Sequence, residues 1–128
     1  MTYTKTQAGY LVRIFKNEDV FASLKKLAEK ESIKSGWISG LGAVKDMEAG
    51  YYDLEEKKYH FKVYDDVYEL LSLTGNISSF EGNIALHLHG TFSGHDNAVF
   101  GGHINAMKSG ITVEVAISTY NTTINRIQ

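Results

Sequence analysis

The sequence contains no cysteine, which excludes disulfides, thiolate metal sites and thiol nucleophiles. Proline is absent too, and only two of the thirteen basic residues are arginines, Arg13 and Arg126. Thirteen basic against fifteen acidic residues leave a net charge of −2 with neutral histidines. That balance supplies no electrostatic drive toward phosphate backbones or anionic membranes. No apolar run approaches the roughly 20 residues of a membrane span, and MTYTKTQAGY at the start lacks a signal-peptide apolar stretch. The expectation is a soluble, cytoplasmic protein. Its 128 residues, 43% hydrophobic and 22% charged, suit one ordinary domain spanning 1–128.

One segment has a helical period. Val20, Phe21, Leu24, Leu27 and Ala28 form an apolar stripe, with Lys25, Lys26, Glu29 and Lys30 outside it. Asn17 is read as its N-cap and Ser35-Gly36 as its stop. The rest reads as strands: 9–16, 37–44, 47–54, 59–64, 67–77, 83–92, 98–105 and 111–120. Strands without intervening helices disfavour a doubly wound fold. They predict an α+β domain, a mostly antiparallel sheet of about seven or eight strands with one main helix packed on it. Gly40-Leu41-Gly42 lacks the third glycine of a dinucleotide fingerprint and is read as a bulge. Asn76-Ile77-Ser78 and Asn121-Thr122-Thr123 match the glycosylation sequon, which without a secretory signal carries no functional meaning.

The histidines carry the chemistry. His87 and His89 stand two apart in a strand, so they leave one face about 7 Å apart. If Ser93 to Asn97 is a turn centred on His95, His103 lies directly opposite His87 and on the same face. A one-residue slip would send it to the other face. Three neutral imidazoles so placed form a facial ligand set for a divalent ion, zinc first, with a fourth position for water. Bound water whose pKa falls to about 7 is a nucleophile at neutral pH. His60 and His95 fit no such arrangement and are read as surface or turn residues. Two glutamates are candidate catalytic bases or partners of the ligand histidines. Glu69 shares an apolar strand face with Val67, Leu71 and Leu73, and Glu114 interrupts the last strand. The alternative role for each is a structural or interface salt bridge.

In these residues the sequence resembles the plant-and-prokaryote conserved (PPC) domain family. The resemblance rests on Tyr68-Glu69-Leu70-Leu71-Ser72-Leu73-Thr74-Gly75-Asn76, Leu86-His87-Leu88-His89, Gly101-Gly102-His103 and Glu114, with Ile38-Ser39-Gly40-Leu41-Gly42-Ala43 after the helix. It implies an antiparallel α+β fold, a homotrimer, and a metal ion on His87, His89 and His103. It also implies the DNA-binding or regulatory role commonly assigned to prokaryotic members. Asp66-Val67 stand where the plant motif has Gly-Arg, and no AT-hook is present. Three functions follow as alternatives: a DNA-associated regulatory domain, a small metal-dependent enzyme of hydrolytic or lyase type, or a trimeric module binding a small ligand or partner protein. Eight tyrosines and six phenylalanines exceed what one small core requires, which also points to assembly.

Overall fold

The computed structural model describes residues 1–127. Segments rich in β-branched and aromatic residues pair as seven strands: β1 (Thr2–Lys5), β2 (Gly9–Phe15), β3 (Ser35–Asp53), β4 (Lys58–Tyr64), β5 (Tyr68–Phe80), β6 (Asn83–Ser93) and β7 (Val99–Tyr120). The one helix, α1 (Val20–Lys30), follows β2. The strands lie in the order β1-β2-β7-β6-β5-β3-β4, and every pairing between them is antiparallel. A further pairing of β7 with β3 closes β7, β6, β5 and β3 into a ring. The fold class is the expected one.

Seven strands replace the eight read from the sequence because two apparent breaks are bends. Lys45-Asp46 does not end a strand. Asp46 takes φ of 48°, and β3 shifts register against β7 between Lys45 and Glu48 before continuing. The polar stretch after Asn105 likewise stays in β7, with Met107 and Ser109 turned into the interior. β1 was not expected: TYTK has no alternating apolar face, and it pairs along the edge of β2. The glycine pair does sit at a bulge, where β3 shifts against β5 between Gly40 and Gly42.

Both helix ends differ from expectation. Asp19, not Asn17, is the N-cap, its carboxylate accepting the Ala22 N–H at 2.9 Å. Asn17 instead turns the chain with φ of 72°. The helix ends at Lys30, and Ser32 takes the left-handed position at φ 52°. Gly36 lies inside β3, where a Cβ would come within 2.9 Å of the Ser118 carbonyl. The predicted stripe packs as read: Val20, Leu24, Leu27 and Ala28 are fully buried in one core with Ile14, Phe92, Ile104 and Met107. The outer sheet face keeps large apolar side chains in the open, with Leu11 57% and Leu41 53% exposed. Among the described residues no helix is long and apolar enough to cross a membrane.

Candidate metal centre

Residue alternation and one turn build the site. On β6, Leu88 and Phe92 face the core and are fully buried, which sends His87 and His89 to the other side. Residues 94–98 form the turn between β6 and β7. There Asn97 has φ of 60°, its N–H donates to the Gly94 carbonyl at 3.1 Å, and Asp96 accepts the Ala98 N–H at 3.0 Å. The register that results pairs Phe92 with Phe100 and His89 with His103. The expected pairing of His87 with His103 is therefore corrected. Ser93 remains paired with Val99, so the hairpin centres on Asp96 and the partner moves by two residues. An even displacement preserves the face, and the three rings still converge.

His87 Nε2 lies 3.1 Å from His89 Nε2, and His103 Nδ1 lies 3.3 Å from the same His89 nitrogen. An imidazole nitrogen carries one proton or one lone pair, so His89 Nε2 cannot form a good hydrogen bond to both neighbours. The spacing suits a shared ion better. Nitrogens about 2.0–2.1 Å from a tetrahedral zinc stand roughly 3.3 Å apart. All three ligand atoms lie within 4.8 Å of one another. The residues thus fit a divalent ion in number, type and spacing.

The surroundings of His87 and His103 favour the neutral form that metal binding requires. Partial burial first, then electrostatic coupling to His89, His87 and Arg126, lower the His103 pKa from 6.5 to about 4. Burial first, then Arg126 and His89, lower that of His87. Tyr59 and Phe61 of β4 flank His103, with centroids at 4.7 and 6.0 Å. Gly50 is the register partner of both His103 and Phe61, so no side chain stands between the two rings. Sequence reading missed these aromatic neighbours and Arg126. The alternation of Tyr59 and Phe61 was visible, but nothing local announced that β4 would lie beside β3 opposite His103.

A stability consequence follows. Because the proton prefers the unfolded His103, the metal-free protein keeps the full contribution above about pH 6.5 and loses it as pH falls toward about 4. Thermal melts of metal-free wild type should decline across this window. His103→Gln should flatten that decline, and an identical pH dependence in both would contradict the assignment.

The two glutamates do not join the histidines within one chain. Glu69 pairs with Ala43 and Ser93, five positions along β5 from Thr74, the partner of His89, or about 16 Å away. The expected apolar setting is also corrected: β5 shifts register between Leu70 and Ser72, so Glu69 and Leu71 face solvent while Leu73 is buried. Glu114 lies on the exposed face, 3.4 Å from Arg13, with both side chains more than half exposed. His95 lies in the turn and meets Asp66 at 3.0 Å. His60 is less ordinary than expected. It approaches Glu56 at 2.8 Å and Asp53 at 3.9 Å and stacks on Tyr51, on the face of the β3–β4 hairpin opposite His103.

Comparison with known proteins places this geometry in context. The family described as the Plants and Prokaryotes Conserved (PCC) domain matches residues 1–121. No curated protein matches the chain. Among solved structures, a candidate DNA-binding protein from Ralstonia eutropha JMP134 is similar at 30% identity and a TM-score of 0.92, covering 98% of this chain and 87% of that one. A PPC protein from Pyrococcus horikoshii shares 27% identity with a TM-score of 0.86, covering 99% and 88%. A metal-containing protein from Archaeoglobus fulgidus shares 27% identity with a TM-score of 0.84, covering 98% and 91%.

Proposed function

The chain belongs to the Plants and Prokaryotes Conserved domain family, and from that premise we propose that it is a metal-binding member whose divalent ion sits on His87, His89 and His103. The observation that carries this reading is the shared approach of two imidazole nitrogens to His89 Nε2, at 3.1 and 3.3 Å. The metal-containing relative from Archaeoglobus fulgidus supports it. Zinc is the first choice, since imidazole suits it and the chain offers no thiolate. When bound, such an ion supplies Lewis acidity. The chain's own part is to hold three neutral nitrogens on one rigid hairpin. Equilibrium dialysis should find one divalent ion per chain; none under metal-replete conditions would refute the reading. A glutamate base for bound water would have to lie within reach of the ion, and in one chain neither Glu69 nor Glu114 does.

The family resemblance and the open apolar face together favour a homotrimer. Leu11, Leu41 and Ala116 line a surface groove of about 520 Å³ with the Arg13–Glu114 pair at its edge. A groove of that composition fits a neighbouring subunit. Light scattering at micromolar concentration should give about three times the chain mass; a monomer would contradict the proposal.

A DNA-binding role is suggested by the description of the Ralstonia relative. The charge of this chain argues against tight binding: it is −2 overall, and Arg13 already faces Glu114. Near physiological salt, duplex binding by the purified protein should be weak or absent in a mobility-shift titration. A tight, sequence-selective shift would assign the DNA role instead.

A further inference from the structure

A second cluster of ligand-type side chains sits at the end of the β3–β4 hairpin, on the face away from the three histidines. The register pairs Asp53 with Lys58 and Tyr51 with His60, so alternation puts Asp53 and His60 on one face as diagonal neighbours. Glu56, in the turn between the strands, brings Oε2 to 2.8 Å from His60 Nε2, and Asp53 Oδ2 lies 3.9 Å from the same nitrogen. One ligand atom from each of the three residues lies within 4.8 Å of the other two. The chain holds these groups in place. Asp53 Oδ1 accepts the N–H groups of Glu55 and Glu56, each at 2.9 Å, which fixes the carboxylate and leaves Oδ2 for His60. The Tyr51 ring stacks on the imidazole, with centroids 5.4 Å apart, and limits its rotation.

One atom of this cluster lacks a partner. His60 Nε2 is shut off from solvent, and among the described residues it makes no hydrogen bond, although Glu56 Oε2 is near enough for one. The two atoms are misaligned, so their contact does not satisfy the nitrogen. A buried polar atom left in that state calls for an ion or a water. A water would satisfy the nitrogen alone. A divalent cation takes its lone pair and also offsets the two carboxylate charges beside it. Ligand atoms about 2.1 Å from an octahedral ion stand roughly 3.0 Å apart in adjacent positions and roughly 4.2 Å apart in opposite ones. The distances of 2.8 and 3.9 Å are close to these. Lys58 Nζ reaches the same Glu56 oxygen at 3.4 Å and is 64% exposed, so it competes for the carboxylate but is free to leave.

We propose that Asp53, Glu56 and His60 form a second divalent-cation site, weaker than the histidine site and empty at the free-metal levels that fill that one. It suits an ion of Mn²⁺ type, because two carboxylates and water suit such an ion and a single imidazole is too few to select zinc. The ion joins β3, the turn and β4, and so clamps the hairpin whose other face carries Tyr59 and Phe61 to His103. The proposal is independent of the reading of the three histidines. The test uses the full chain loaded with one zinc per chain and freed of excess metal. Free Mn²⁺ is counted by electron paramagnetic resonance during a titration at neutral pH. One further ion per chain should bind saturably. His60→Ala and Asp53→Asn should each weaken that binding at least about 10-fold with zinc content unchanged. The asparagine keeps an acceptor for the Glu55 and Glu56 N–H groups, so the turn is retained. Lys58→Ala should strengthen the binding by removing the competing cation. A chain that refuses zinc but binds Mn²⁺ in this pattern would overturn the histidine reading and support this one. No saturable Mn²⁺ binding by the wild type would overturn the proposal, as would binding that survives both His60→Ala and Asp53→Asn.

Discussion

Replacing His103 by alanine should lower the affinity for a divalent ion by at least about 100-fold, and His87→Ala should do the same. Loss of a partner that merely orients a ligand costs about 10–100-fold, and loss of a ligand costs no less. His103 is partly exposed on the outside of β7 and contributes nothing to the buried core, so the variants should fold. His60→Ala is the matched control. His60 sits with Asp53 and Glu56 on the opposite face of the β3–β4 hairpin, and its removal should leave the tight site unchanged. The measurement is competition with a chromophoric chelator at neutral pH. Full affinity in both His87→Ala and His103→Ala would return the three histidines to ordinary polar positions on a sheet.

The second large effect is on stability. Phe92→Ala should destabilise the protein by about 3–5 kcal/mol, the cost of removing a buried aromatic from a site that cannot collapse. Phe92 is fully buried, and its ring packs 5.5 Å from that of Phe100, its register partner. It also fills the space under Gly90, where an added Cβ would come within 2.8 Å of the Phe92 ring. The surrounding backbone is held on both sides by the β5 and β7 ladders, which limits relaxation into the cavity. Urea denaturation with an unchanged m-value gives the free-energy difference directly. A loss below about 1 kcal/mol would show that the hairpin core is looser than described.

How legible all this was depended on the range of the interactions involved. The helix was readable because Val20, Leu24, Leu27 and Ala28 repeat with its own period and all four bury. Its caps were not, because Asn17 and Asp19 are both good cap residues. The β2 ladder and the turn with φ 72° at Asn17 decided between them. The metal-site face was legible for the same local reason, since period-two alternation alone places His87 and His89 together. The partner of His103 was misplaced by two residues because the turn holds residues 94–98, and nothing in Ser93 to Ala98 fixes the turn length uniquely. The error was harmless only because it was even. What lay beyond local reading was everything that arrives by topology. Tyr59 and Phe61 reach His103 across β3, Arg126 arrives through a bridge at Ser79, and Glu69 is turned outward by a bulge in β5.

The central claim is that one divalent ion is held by three imidazoles of a single hairpin. X-ray absorption at the metal edge of the zinc-loaded wild type tests it most directly. The account predicts a shell containing three histidine nitrogens at about 2.0–2.1 Å, with the outer-shell scattering of imidazole rings. A shell made only of oxygen, or one with fewer than three imidazoles, would contradict it.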